Sequence, residues 1–417
     1  MSSSRGRAAG SASSSTGSHH AFAGEVWDRA AGYLRAAGAK AAARSAYREA
    51  VTCFERALSA LGHLPESRDT LEQRLELRLD LRRALLPLGA SARILEHLRD
   101  AEAVAESLGD GRRAGRIAAY MANHFWWVGA PGRAIEAGER ALTSAGGVGD
   151  VTLEATASFY LGQAYCAQGS YALALDFLRK AVHAVARNGQ PRPAVVLFLS
   201  WLARCLAERG EFAEGMAVAE EAARMAEAID RPASRLAADQ GRAFLRVRCG
   251  EFALAIADVG GHRALRPVIN LPPQLVLSDS LLGYACARAG RVSEAIPTLE
   301  QAMNQAAAMG LMVEQALRAT WLGEAYLLAG RIDDAGRLAR SALAAARTHE
   351  ERGNEAYALR LLGEIEARRD PSGRDAFAHY QRAIVLAGES GMRPLVGQCH
   401  REMASLGLEG HAGTIAG

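Results

Sequence analysis

The side chains best suited to chemistry are scattered. Eleven histidines occur, His19 and His20 adjacent and the rest apart, and no two stand at i, i+4 with a carboxylate between them. That is the spacing at which one helix face offers two imidazoles to zinc. Cys53, Cys166, Cys205, Cys249, Cys286 and Cys399 are far apart in apolar stretches, with no C-x-x-C pair, and read as buried reduced thiols. The two lysines, Lys40 and Lys180, follow no glycine-rich loop, and no G-x-x-x-x-G-K-[ST] motif occurs, so nothing cradles a nucleotide phosphate. Aspartates and glutamates have arginines three or four residues away, the pattern of solvated ion pairs and not of acid–base couples. Catalysis, a metal site and a cofactor site are therefore not expected, and the chain is read as a non-enzyme.

What can act instead is a surface, and the sequence supplies elements to carry one. Alanine, leucine, arginine and glutamate dominate and aromatic residues make up only 6%, so helix propensity is high almost throughout and the class is all-α. Net charge is +3, with 49 basic residues interspersed among 46 acidic ones; no basic stripe points to nucleic acid. No apolar run approaches the roughly 20 residues that span a bilayer, and the N-terminus has no apolar signal core. The expected location is the cytoplasm, without membrane association.

A glycine ruler sets the organisation. Gly89, Gly129, Gly169, Gly210, Gly250, Gly290 and Gly330 are separated by 40, 40, 41, 40, 40 and 40 residues, each closing one helix of a pair. Five residues on comes a small or apolar residue: Ile94, Ala134, Ala174, Gly215, Ala255, Ala295 and Ala335, with Ala50 and Ala376 extending the series. Seven further lies a second alanine: Ala57, Ala101, Ala141, Ala181, Ala222, Ala302, Ala342 and Ala383, broken only at His262. Small residues are needed where two helices of a hairpin cross closely. WLGEAYLLAG (321–330), FYLGQAYCAQG (159–169), LLGYACARAG (281–290) and WLARCLAERG (201–210) are versions of one first helix with a single buried stripe.

The L-G, Y, G and A-x3-(F/L/A)-x2-A pattern resembles the tetratricopeptide repeat, lengthened from 34 to about 40 residues. The resemblance implies a right-handed superhelical solenoid of about nine hairpins. Residues 25–58, 81–110 and 359–370, with Trp27, Ala41, Ala42, Arg44 and the stretch GASARILEHLRDAEA, further resemble the C-terminal repeat region of bacterial regulators that join a class III nucleotide cyclase to an AAA-type ATPase module. That likeness spans nearly all of 20–407. In those regulators nucleotide chemistry lies upstream, so what the resemblance implies here is a regulatory region standing alone, as a small gene product, a mis-called start or a remnant of a larger gene.

The expected organisation is a disordered Ser/Gly/Ala-rich tail over 1–20, a repeat array over 21–407 and a flexible tail over 408–417. Proline-bearing loops interrupt the array, and RPVINLPP (266–273) is read either as a longer loop or as a bend. First helices of such arrays line a concave face. The position after the small residue gives a polar and aromatic ladder, Asn123, Gln163, Arg204, Phe244, Tyr284, Glu324 and Glu364, suited to an extended peptide or helix or else simply solvated. In MANHFWWVG (121–129), register puts Phe125 in the core, Trp126 toward the groove and Trp127 against the neighbouring hairpin. The function this supports is a protein-binding scaffold or sensor, its partner a protein or peptide segment. The alternatives are a subunit acting on a separately encoded cyclase or signalling ATPase, and a small-molecule sensor.

Overall fold

The computed structural model describes residues 12–186, 192–265, 271–370 and 373–407, and every regular element among them is helical. Two compact units divide the chain, one up to Gly111 and one from Arg112 onward. The repeat period crosses that boundary without a change of spacing.

In the first unit α1 (Ala12–Ala43) packs on α2 (Tyr47–Gly62), α2 on α3 (Arg68–Leu85) and, after a 3-10 turn at Leu86–Leu88, α3 on α4 (Ser91–Ser107). Gly38 lets α1 approach α2 closely, since a Cβ there would lie 2.6 Å from the Phe54 ring. Ser67 and Thr70 start α3 with a reciprocal capping box, satisfying amides that the first turn leaves free. Arg35 spans to Asp80 at 2.8 Å, and Trp27 stacks on His63 with centroids 4.3 Å apart. The backbone is already helical from Ala12, within the stretch expected to be an unstructured tail. Once the turns ahead are nucleated, adding residues to a helix end costs little even for a serine-rich sequence. Residues 1–11 and the expected tail over 408–417 lie outside the described residues.

The second unit is a solenoid of hairpins: α5 (Gly111–Trp127) with α6 (Pro131–Val148), α7 (Val151–Gln168) with α8 (Tyr171–Ala186), α9 (Pro193–Arg209) with α10 (Phe212–Ile229), and α11 (Pro232–Cys249) with α12 (Phe252–Val259). It continues through α13 (Pro272–Arg288) with α14 (Val292–Ala308), α15 (Gln315–Leu328) with α16 (Ile332–Thr348), α17 (Arg352–Arg369) with α18 (Arg374–Glu389), and a terminal α19 (Arg393–Ser405). All seven ruler glycines have positive φ. At Gly169 the stop is formed by Gly169 N–H donating to Cys166 O at 3.0 Å and Ser170 N–H to Tyr165 O at 2.9 Å, a Schellman arrangement.

Both small-residue series are buried along their whole length, Ile94 and Gly215 included. Second helices bury little beyond this stripe; α10, for instance, buries Gly215, Ala219, Ala222 and Ala226. First helices are buried on nearly every side, as in α9, α13 and α15, the mark of a helix enclosed by neighbours all round.

The break at His262 has a local cause. After Val259 the chain tightens into a 3-10 turn over Gly260–Leu265, and the buried imidazole takes the place of the alanine methyl. His262 Nε2 lies 3.3 Å from Asp239 Oδ2 and Nδ1 lies 3.0 Å from Ser278 Oγ, while Gln240 Nε2 donates to the same hydroxyl at 2.8 Å. The order Ser–His–Asp is that of a hydrolytic triad, but Ser278 is enclosed and its oxygen already accepts from Gln240, so the network works as a polar packing plug. Of the RPVINLPP stretch read as a loop or bend, 266–270 lies outside the described residues.

Candidate functional site

Within the second unit the first helices face one another across an interior. The C-terminal ends of α5, α7 and α9 meet the loops that precede α15, α17 and α19. Met312 and Val313 N–H donate to Trp127 O at 3.0 and 3.2 Å. His349 Nδ1 lies 2.6 Å from Gly129 O, Gly169 abuts Gly353, and Arg393 Nε donates to Arg209 O at 2.9 Å. The turns of the solenoid thus close on each other, and the inner ladder surrounds an enclosed space.

The ladder positions are distributed around that space unevenly. Trp126 is only 3% exposed and meets Trp201 edge-on with centroids 5.2 Å apart; Phe125 and Trp127 are buried as well. Trp126 is covered by Trp127 and Trp201 and shares the wall of a small cavity with Glu314 and Leu317. The Arg204 guanidinium lies 4.6 Å from the Trp201 centroid and 4.3 Å from that of Phe244, and it pairs with Glu314. Tyr284 stacks on Trp321 at 4.7 Å and donates from its hydroxyl to Glu324 Oε2 at 3.2 Å. Glu364 is half-buried and accepts from Arg360 and Arg368. Arg204 and Phe244 therefore form one group, and Tyr284, Glu324 and Glu364 another. Asn123 lies on α5 and Gln163 on α7, and among the described residues the Gln163 Oε1 is buried without a hydrogen-bond partner.

Residues one turn further along complete the site and were not anticipated. Glu208, Arg248 and Arg288 follow Arg204, Phe244 and Tyr284 by four positions, so they share the inner face. Arg248 donates to Glu208 Oε1 through Nε at 3.0 Å and Nη2 at 2.7 Å. Tyr357 closes the pair from α17, its hydroxyl donating to Glu208 Oε2 at 2.6 Å. Arg360, 1% exposed, gathers Glu402 at 3.0 Å, Glu364 at 3.2 Å and Glu324 at 2.5 Å, the last a charge contact outside hydrogen-bond geometry. Its Nε has no partner. A charged arginine within the apolar run 357–362, YALRLL, was the available signal.

These charges support one another. Burial works against the Arg360 cation, but the carboxylates of Glu324, Glu402 and Glu364 hold it protonated well above its ordinary range. Arg248 is held likewise by Glu208, against its own burial. Burial, with Glu324 beside it, pushes the Tyr284 phenol up to about 12, so it stays a neutral donor. The paired arrangement is what makes buried charge tolerable.

Two cavities open within this frame. A small one of about 40 Å³ is lined by Trp126, Trp201, Arg204, Phe244 and Glu314 among others. A larger one of about 490 Å³ lies between α11, α13, α15, α17 and α19, with Arg248, Tyr284, Glu324 and Arg360 in its walls. Its size falls in the range of sites that take small ligands or short peptide segments.

No protein-family model and no curated protein matches the sequence. Solved structures do share the fold. A Rap protein complexed with Competence and Sporulation Factor aligns with a TM-score of 0.61 at 13% identity, over 87% of this chain and 99% of that one. The Rap conjugation gene regulator of plasmid pLS20 in complex with the Phr* peptide aligns at 0.55 and 15% identity, over 93% and 98%. Aspartyl phosphate phosphatase F from Bacillus subtilis aligns at 0.50 and 14% identity, over 92% and 96%. At such identities the likeness establishes the fold: an all-helical, tetratricopeptide-like repeat.

Proposed function

We propose that the interior of the second unit binds a short peptide or protein segment, and that the chain is a non-catalytic sensor or scaffold reporting that occupancy. The observation that carries this is the cavity of about 490 Å³, walled by the ladder residues Tyr284 and Glu324 and by Arg248, Arg288, Tyr357 and Arg360 from successive first helices. Aromatic surface supplies area at small entropic cost, and pre-organised charges recognise a backbone without having to be ordered first. Two solved structures of similar fold are peptide- or factor-bound, which supports the same reading. All eight sequence-derived positions, Asn123, Trp126, Gln163, Arg204, Phe244, Tyr284, Glu324 and Glu364, stand in it as groove residues, and the buried ones among them act by shaping the cavity walls.

The resemblance of 25–58, 81–110 and 359–370 to the repeat region of cyclase–ATPase regulators favours a signalling ATPase or nucleotide cyclase as the effector that reads the occupied state. Among the described residues no helix is long and apolar enough to cross a membrane; we place the protein in the cytoplasm, where such effectors act.

Native mass spectrometry of the chain purified from its own host tests the binding function. A bound peptide of a few residues that is lost in a folded Gly397→Trp variant, whose side chain fills the cavity, supports it. A chain that carries no peptide, and that takes up none from the low-mass fraction of a host lysate, overturns it.

A further inference from the structure

Resting on that reading, the charge balance of the larger cavity identifies what kind of segment enters. Five arginines and two glutamates line it, and the pairs described above do not use all the positive charge. Arg248 is engaged by Glu208, and Arg360 by three carboxylates. Arg288 reaches only Glu324 at 3.2 Å, which it shares with Arg360, and the Tyr284 hydroxyl at 3.3 Å. Arg393 is engaged by Arg209 O at 2.9 Å and Glu211 at 3.6 Å, whereas Arg401 is exposed with no ionic or hydrogen-bonding partner among the described residues.

The helix that presents the last two is built for access. On α19, Arg393, Gly397 and Arg401 recur at a four-residue interval and line the cavity on one face. Glycine between the two arginines removes the side chain that would otherwise stand there. Deeper in, the Arg360 guanidinium backs the cavity wall, its charge already taken up by Glu324, Glu364 and Glu402, which leaves Arg288 as the inner cation with the fewest partners.

We infer that the cavity beneath α19 takes a carboxylate, and hence that the bound segment is acidic. Arg401 draws it in at the mouth, and Arg288 receives it inside. Guanidinium donors match the two oxygens of a carboxylate in fork geometry, and the unpaired Arg401 at the mouth disfavours a basic segment. The carboxylate can come from an Asp or Glu side chain or from the chain terminus.

The test uses the full chain and three randomised pentapeptide pools: one with all residues and a free C-terminus, one with all residues but amidated, and one amidated and lacking Asp and Glu. Peptides retained after gel filtration are sequenced by mass spectrometry. Retention from the first two pools with about tenfold less from the third supports a side-chain carboxylate, and retention from the first pool alone supports a terminal one. Arg401→Glu, exposed and outside the core, is expected to lower acidic-peptide retention about tenfold while leaving the melting temperature unchanged. Equal retention from all three pools, or unchanged retention of acidic peptides by Arg401→Glu, overturns the inference and leaves peptide binding standing. Retention from no pool overturns peptide binding and the inference with it.

Discussion

The Tyr357 hydroxyl donates a 2.6 Å hydrogen bond to Glu208, a residue 149 positions earlier in the chain. Neither residue belongs to a neighbouring hairpin of the other; they meet because the first helices α9 and α17 of the second unit converge on one interior. Glu208 is then fully used, with Arg248 on one oxygen and Tyr357 on the other, and the Arg248 guanidinium also lies 4.4 Å from the Tyr357 ring centroid. A solenoid with an open groove has no such contact, so this triplet reports closure directly.

Tyr357→Phe tests how much that contact contributes. It keeps the ring under Arg248 and strands one buried carboxylate oxygen, which is expected to cost about 2 kcal/mol of stability. Urea denaturation of Tyr357→Phe, Glu208→Gln and the double variant should show a coupling of about 1 kcal/mol or more. Additive losses would mean that the two helices are held together by other contacts.

The same closure carries a pH dependence. Glu351 precedes α17, and its burial, assisted by the nearby Glu314 charge and opposed by hydrogen bonding from Asn354, pushes its carboxyl up from 4.5 to about 7. The folded state therefore holds a proton that the unfolded chain releases, and native protein binds more protons between pH 4.5 and 7. Stability from this group is complete below 4.5 and is lost as pH rises through 7, a change on the order of 3 kcal/mol. Glu351→Gln should flatten the stability–pH profile over this window. A profile as steep in the variant as in the parent would assign the slope to other groups.

His262→Ala restores the alanine found in the other second helices, yet it is expected to destabilise. The substitution leaves the Asp239 carboxylate and the Ser278 hydroxyl without the imidazole that joins them and opens a cavity between them, at a cost of about 2 to 3 kcal/mol. Thermal unfolding followed by circular dichroism measures it. A variant as stable as the parent would show that the polar plug only fills space.

How much of this was legible follows from where each signal lies. The ruler glycines and both small-residue series are local demands of helix stops and close crossings, and Ala134, Ala141, Ala174 and Ala181 are all fully buried as their spacing required. His262 stood out because it broke a period. The covering of Trp126, by contrast, depends on Trp201 and on the small cavity it shares with Glu314 and Leu317, far away in the chain. It arises from a small rotation at each hairpin, accumulated over several repeats, that no single spacing records. Glu208, Arg248 and Arg288 were within reach, since each lies one turn beyond a ladder residue. The division near Gly111 left no trace because Ala101 and Ala141 keep the repeat distance across it.

Two glycines of the ruler separate local geometry from closure. Gly169 and Gly250 end equivalent helices with φ of +81° and +82°, so alanine at either pays the left-handed penalty of about 1 kcal/mol. They differ in what surrounds them. A Cβ at Gly169 would lie 2.8 Å from Gly353 N, backbone that cannot swing aside, whereas a Cβ at Gly250 meets nothing within 4 Å. Gly250→Ala is thus expected to lose about 1 kcal/mol, and Gly169→Ala about 3 kcal/mol, as α7 and the start of α17 are forced apart. Hydrogen exchange should separate them further: Gly169→Ala speeds exchange of amides at the 349–353 contact, and Gly250→Ala leaves them protected. Equal losses and equal protection would mean that the two ends of the second unit are not packed together in solution, and that the interior is an open groove after all.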